Sequence, residues 1–194
     1  MMRRIAWLAV ALIGFLGIFV RGAEATPLRF TVLPEKSRVE FISGTQLGEF
    51  RGNTTQVNGE MAADPNGGSR LQLTVSVDLR ALKSDNAVRD QHMHERLLEV
   101  GRFPRAVFTA TEFRPSNGAG KQGGDGTLSG TLMLHGVERP VTLPIRFSLN
   151  GTTLRGDGAL SVKLTDFQMT PPSLLGIKVR DQVTVEIHLV ATSG

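Results

Sequence analysis

The chain has 194 residues, with 22 Lys and Arg against 18 Asp and Glu, a formal net charge of +4, no Cys, no Tyr and one Trp. Lack of cysteine excludes thiolate metal sites, cysteine nucleophiles and covalent haem attachment, and leaves an exported domain to be held by burial and backbone ladders alone. The basic residues are scattered rather than striped and stacking aromatics are scarce, so nucleic acid is not an expected partner.

Residues 1–25 read as a signal peptide. Met1-Met2-Arg3-Arg4 is a basic head, Ile5 to Val20 is an uncharged apolar run holding Trp7, and Ala23-Glu24-Ala25 offers small residues to a signal peptidase. An uncleaved membrane anchor is the alternative, the run being slightly short for a span. Either way the remaining domain, residues 26–194, is expected outside the cytoplasm, in the periplasm. Losing Arg3, Arg4, Arg21 and Glu24 lowers the formal net charge from +4 to +2.

Period-two alternation then dominates. Leu28 to Leu33 and Arg38 to Ile42 are short strands split by a turn at Pro34-Glu35-Lys36-Ser37, and Gln46 to Gly52 reads as a bulged or bent strand. Asp64-Pro65-Asn66-Gly67-Gly68 is a strong turn signal, and after it Leu71, Leu73, Val75, Val77 and Leu79 alternate with polar residues. From Ser84-Asp85 to about Val100 the alternation stops. A helix is expected there, capped by Ser84 or Asp85, ended by Gly101 and Pro104, and carrying a stripe of Met93, Leu97 and Val100. Strand pattern resumes at Ala106 to Phe113, and Pro115 to Gly126 reads as a Gly-rich loop. Gly126 to Leu149 reads as a hairpin turning at His135-Gly136, with Leu128, Leu132 and Leu134 in one row and Val141, Leu143, Ile145, Phe147 and Leu149 in the other. Leu154 to Leu164 and Gln182 to Val190 are further strands, and Pro171-Pro172 breaks the irregular stretch between them. Many alternating strands with one helix give a mainly β fold, an eight-stranded antiparallel β-barrel with one short helix, or else a two-sheet sandwich.

The densest polar cluster is Arg89-Asp90-Gln91-His92-Met93-His94-Glu95-Arg96. It fails the His-Glu-x-x-His zinc motif, because Leu98 stands where the second His is needed. On a helix, His92 and His94 splay apart rather than chelate. The structural reading is that Arg89 and Asp90 pair, bond local backbone and fasten the helix over a barrel end. His135 and His188 are expected to be exposed, no nucleophile elbow is present, and no catalytic or metal site is assigned.

Taken together, Pro34, Ser37, Val39 and Phe41, the segment Leu47 to Gly52 (LGEFRG), Arg89-Asp90-Gln91-His92-Met93, Phe103-Pro104 with Phe108, Leu128 to Pro140 (LSGTLMLHGVERP) and Asp166-Phe167 resemble the YceI-like family of exported lipocalin-like proteins. The resemblance runs over nearly all of residues 26–194. It implies an elongated barrel around a long apolar tunnel, polyisoprenoid or related lipid ligands, and no assigned catalytic residues. Departures stand at Leu97-Leu98, where the family has an Asp-Phe-Phe-like element, at Gln168, where glycine is common, and at Pro171 to Leu175.

The expected function is that of a periplasmic carrier for a long isoprenoid or similar amphiphile, with no cofactor other than a bound isoprenoid or quinone-like lipid. The alternatives are a lipid-acting hydrolase or isomerase on the same barrel, or a filled barrel serving as an interaction module. The expected lining is Phe41, Leu71, Leu73, Val75, Val77, Phe108, Leu132, Leu134, Val141, Leu143, Ile145, Leu160, Val162, Val185 and Ile187. Arg89, Asp90, His92, His135, Gly136, Asp166 and Phe167 are expected to be structural. Expected partners are the apolar ligand and a peripheral or donor/acceptor contact with a membrane, the protein being a monomer or homodimer. With no Tyr or Trp in residues 26–194, the tunnel is expected to select by length and width and to treat head groups alike.

Overall fold

The computed structural model describes residues 26–64, 69–174 and 177–193. The expected signal peptide or anchor, residues 1–25, lies outside the described residues, as do residues 65–68 of the turn after Asp64.

The alternating segments form the antiparallel barrel. Its strands are β1 (Leu28–Val32), β2 (Arg38–Thr45), β3 (Gly48–Thr54), β4 (Val57–Ala63), β5 (Arg70–Asp78), β6 (Lys83–Ser84), β7 (Arg105–Pro115), β8 (Gly123–Leu134), β9 (Val137–Asn150), β10 (Thr153–Lys163) and β13 (Gln182–Thr192). The short strands β11 (Ser173–Leu174) and β12 (Ile177–Lys178) pair only with each other. The ring β1–β4–β5–β7–β8–β9–β10–β13 returns to β1, so eight staves close. β2 continues the stave of β1 along the same flank of β13, and β3 pairs with β2.

The break between β1 and β2 follows from Pro34, which starts a 3-10 turn over Pro34–Lys36. Ser37 repairs the gap. Its side chain, 2% exposed, takes the Val190 N–H at 3.0 Å and donates back to the Val190 carbonyl at 3.3 Å. His135 and Gly136 have φ of 52° and 74°, the doubly left-handed pair that a two-residue hairpin loop needs. Two expectations are corrected nearby. Gln46-Leu47 is the turn of the β2–β3 hairpin rather than part of a bent strand, and the Gly-rich loop ends early because β8 already begins at Gly123.

Pro140 and Pro144 sit four apart in β9 with the same parity. β8 pairs with β9 from Val137 to Ser148, past both prolines, whereas the β9–β10 ladder ends at Ile145 and Gly158. Both prolines therefore turn their missing N–H toward β10, and that seam stays open beyond Gly158. A 3-10 turn, Leu164–Phe167, packs against both strands at this end, with Phe167 only 2% exposed and the Arg139 guanidinium on the Asp166 carbonyl at 3.0 Å.

The helix is shorter than its sequence suggests. The α-helical part, α1, covers Ala87–His92 and continues as a π-helical turn over Met93–Leu97. The cap is Asn86, whose side chain accepts from the Arg89 N–H at 2.9 Å, not Ser84 or Asp85. Ser84 is drawn instead into β6, which pairs with β3. Met93 and Leu98 are buried with Leu79, Leu82, Val162, Leu164, Phe167, Met169 and Val183, a cluster that packs the helix against this end of the barrel. The larger apolar cluster, including Phe30, Val57, Leu73, Val75, Ala110, Leu128 and Leu143, lines the body of the barrel.

Candidate functional site: an apolar cavity with a polar mouth

The barrel interior is hollow. A cavity of about 1370 Å³ runs between its two ends, and most of its wall is aliphatic or phenylalanine side chain. Side chains of one parity on each stave build it, because alternate residues of a pleated strand face opposite sides. The volume exceeds the roughly 300–1,000 Å³ of ordinary ligand pockets. A filled core would leave no such void.

Every residue of the expected lining borders the cavity except Val141. Val141 keeps the inward parity of its row, but it lies on the part of β9 beyond Pro144 that has lost β10 as a partner, and it does not border the cavity. Phe30, Val39, Phe113, Phe147 and Leu149 also line it and were left out of the expected set. Phe147 and Leu149 continue the row of Leu143 and Ile145, so parity alone would have found them.

The two ends differ. At one end the cavity meets Leu28, Ala63, Pro115, Lys121 and Arg155. At the other it meets the β2–β3 turn and the helix: Ser43, Leu47, Glu49, Phe50, Asn86, Val88, Arg89, His92 and Arg96.

The Arg89–Asp90 expectation is half corrected. The two side chains do not pair with each other but converge on Ser84. The Ser84 hydroxyl accepts from Arg89 Nε at 2.9 Å and donates to Asp90 at 2.5 Å, and Asp90 also takes the Ser84 N–H at 2.9 Å. Arg89 further pairs with Asp85 and lies over the Phe50 ring, 4.6 Å from its centroid. These bonds tie α1 to β6 and so to the barrel.

His92 borders the cavity, whereas His94 is turned away with Nε2 at 2.8 Å from the Leu82 carbonyl, so the two do not converge. No group of three metal-ligating side chains occurs among the described residues. His135 is not exposed. Its side chain is 11% exposed, packs on Phe103 with ring centroids 4.4 Å apart, sets Nδ1 3.3 Å from the Phe167 carbonyl and has Glu99 at 3.4 Å. His188 is exposed and pairs with Asp157 at 2.8 Å.

Three carboxyls are held below the usual aspartate range: Asp78 by the Arg80 guanidinium, Asp125 by Arg146 and Asp181 by the Thr165 hydroxyl and N–H. None of them borders the cavity. The buried Ser43 hydroxyl does, and it has no hydrogen-bond partner among the described residues.

Comparison with known proteins agrees with this architecture. A UPF0312 protein of Vibrio vulnificus is 30% identical over 129 residues, covering 62% of this chain and 65% of the relative. Protein YceI of Salmonella newport is 28% identical over 141 residues, 69% of each chain. Among solved structures, Burkholderia cenocepacia BcnA superposes with a TM-score of 0.73 at 22% identity, over 83% of this chain and 99% of that one. A polyisoprenoid binding domain from Saccharophagus degradans, implicated in plant cell wall breakdown, gives a TM-score of 0.68 at 18% identity, over 86% and 99%. Residues 30–191 match the family model of the YceI-like domain, and the chain belongs to that family.

Proposed function

We propose that this protein is an exported carrier that holds one long isoprenoid chain, or a similar amphiphilic lipid, inside its barrel. The observation that carries the reading is the cavity itself, about 1370 Å³ and walled mainly by apolar side chains. A chain carbon fills about the volume of a water molecule, roughly 30 Å³. The cavity of about 1370 Å³ thus has room for about forty-five carbons. Each buried methylene contributes about 0.8 kcal/mol gross, before the ordering and association costs are subtracted. Affinity of this kind needs shape and an apolar wall rather than a polar motif. The polyisoprenoid binding domain of Saccharophagus degradans, on the same fold, is consistent with this ligand class.

Export to the periplasm is supported by the basic head, apolar run and small residues of positions 1–25. Contact with a membrane during loading or delivery is supported by the rim of the helix-end mouth, where Leu47 is 78% and Val88 65% exposed. A single chain encloses the cavity, so carriage needs no second copy.

Mass spectrometry of an organic-solvent extract tests the proposal, using protein purified without detergent from the periplasm of the native host. A stoichiometric long-chain lipid supports it. An empty extract, still empty after incubation with a mixture of isoprenoids and fatty acids, overturns it.

A further inference from the structure

The cavity wall is apolar, but the groups left free at its helix-end mouth are hydrogen-bond donors. Arg89 is already engaged by Ser84 and Asp85 and lies over Phe50. Glu49, the carboxylate at this mouth, faces Arg180 at 3.4 Å. Three lining groups remain. The half-buried His92 and the exposed Arg96 make no side-chain hydrogen bond or ion pair with any described residue, although both border the cavity. Ser43 is only 7% exposed, and its hydroxyl has no partner among the described residues. An orphaned buried hydroxyl is costly unless something else satisfies it. The opposite end offers no such bias: the charged residues that border it, Glu60, Asp64, Lys121, Arg155 and Asp157, are of both signs, and Glu60, Arg155 and Asp157 have the outward parity of their strands.

We infer that the ligand lies with its head at the helix-end mouth and that this head is anionic, a carboxylate or a phosphate. Such a head is an acceptor only. It accepts from Arg96, His92 and Ser43 through charge-assisted bonds that a neutral head makes less strongly, whereas a cationic head meets the Arg96 guanidinium with like charge. The tail then runs up the barrel toward Leu28 and Arg155. This rests on the cavity being a lipid site. It also replaces the sequence-based expectation of indifference to head groups: selection is by charge at the mouth and by length within the tunnel.

The test compares delipidated protein with matched probes in a fluorescence displacement assay: oleate, oleyl alcohol and oleylamine, and farnesyl phosphate with farnesol. Oleate and farnesyl phosphate are expected to bind at least tenfold tighter than their alcohols, with oleylamine weakest. High salt should narrow the gap. R96Q, which removes a charged donor, should lower affinity for the anions by about tenfold and H92Q, which removes the imidazole N–H, by less, both leaving the alcohols within about twofold. R155Q with K121Q, at the far end, should change neither. A preference for farnesyl phosphate without one for oleate would assign the site to phosphate, and the reverse to carboxylate. Acids and alcohols binding equally would overturn the anionic head and leave the cavity reading standing. Loss of the preference in the R155Q and K121Q variant, but not in R96Q or H92Q, would overturn the placement of the head. Failure of every probe to bind would overturn the cavity reading itself.

Discussion

Gly156 offers a way to shorten the tunnel without disturbing its wall. It sits in the inward row of β10, opposite Phe147 on one side and Leu189 on the other, and a Cβ built there meets no heavy atom within 4 Å. Gly158, two residues on, is different: its Cβ would stand 2.8 Å from the Pro144 carbonyl oxygen. Gly156→Phe therefore projects a ring into empty space. At roughly 30 Å³ per heavy atom, seven carbons displace about 200 Å³, near one seventh of the 1370 Å³ cavity. A ligand that filled the tunnel must withdraw about as many carbons. Expelling them all into water loses roughly 5 kcal/mol, and about half of that if the chain slides toward the mouth. The expected loss for the longest ligands is about a hundredfold, while ligands too short to reach Gly156 keep their affinity. Stability should hold or rise slightly, since glycine in a strand interior costs about 0.5–1 kcal/mol. Calorimetric titration with a homologous series of chain lengths, beside a melting curve, reads both effects. A folded Gly156→Phe protein with an unchanged chain-length profile would refute the claim that the ligand occupies this part of the barrel.

Other consequences follow from the shell. Ser37→Ala leaves the Val190 N–H without its partner, whereas the Val190 carbonyl keeps the Leu33 N–H. A loss of about 1–3 kcal/mol is expected in urea denaturation, against almost none for the exposed Ser148→Ala. Asp181 accepts from the Thr165 N–H at 2.9 Å and from its hydroxyl at 2.7 Å, bonds that lower its pKa. A depressed carboxyl stabilises the fold above its unfolded pKa of about 3.9 and loses that contribution as pH falls through the folded value. The wild-type advantage over Asp181→Asn should therefore be constant from neutral pH down to about pH 5 and shrink at more acid pH; a constant gap to about pH 2 would contradict it. Gln168 stands at φ +59°, where an L side chain is strained, so Gln168→Gly is expected to raise stability by up to about 1 kcal/mol in the same assay. Phe167→Ala empties a site that is 2% exposed and should cost about 3–5 kcal/mol.

The inward rows were legible because a strand's side-chain period is fixed by the backbone. Wherever Leu, Val, Ile or Phe alternated with polar residues, the structure shows a stave. The His135-Gly136 turn was legible for a similar local reason. What escaped the sequence depends on contacts between distant segments. Val141 has the right parity, but Pro140 and Pro144 on either side of it remove the neighbouring stave. Ser84 reads as a cap until pairing with β3 draws it into β6, where the Asp90 carboxylate binds it. His135 reads as an exposed turn residue until Phe103 and Phe167 close around it. The mouth was the least legible part. His92, Arg96 and Ser43 come from a helix and a strand far apart in the chain, and no local pattern marks them as neighbours of one cavity.

A hollow barrel without disulfides must take its stability from its wall and ends. Closure of the ladder from β1 round to β13 satisfies the backbone, the helix and the Leu164–Phe167 turn pack one end, and Ser37, Ser84 and Asp181 hold the points where pairing is interrupted. The apolar side chains over the void make fewer contacts than those of a packed core, so part of their burial waits for a ligand. This division has a measurable signature. In a filled interior, enlarging a side chain typically costs 1–3 kcal/mol through overpacking. Along this tunnel, Val77→Leu and Val185→Leu should cost less than about 0.5 kcal/mol in the empty protein and yet weaken long-chain binding. If both destabilise as core substitutions do, the void is not the open space that binding requires.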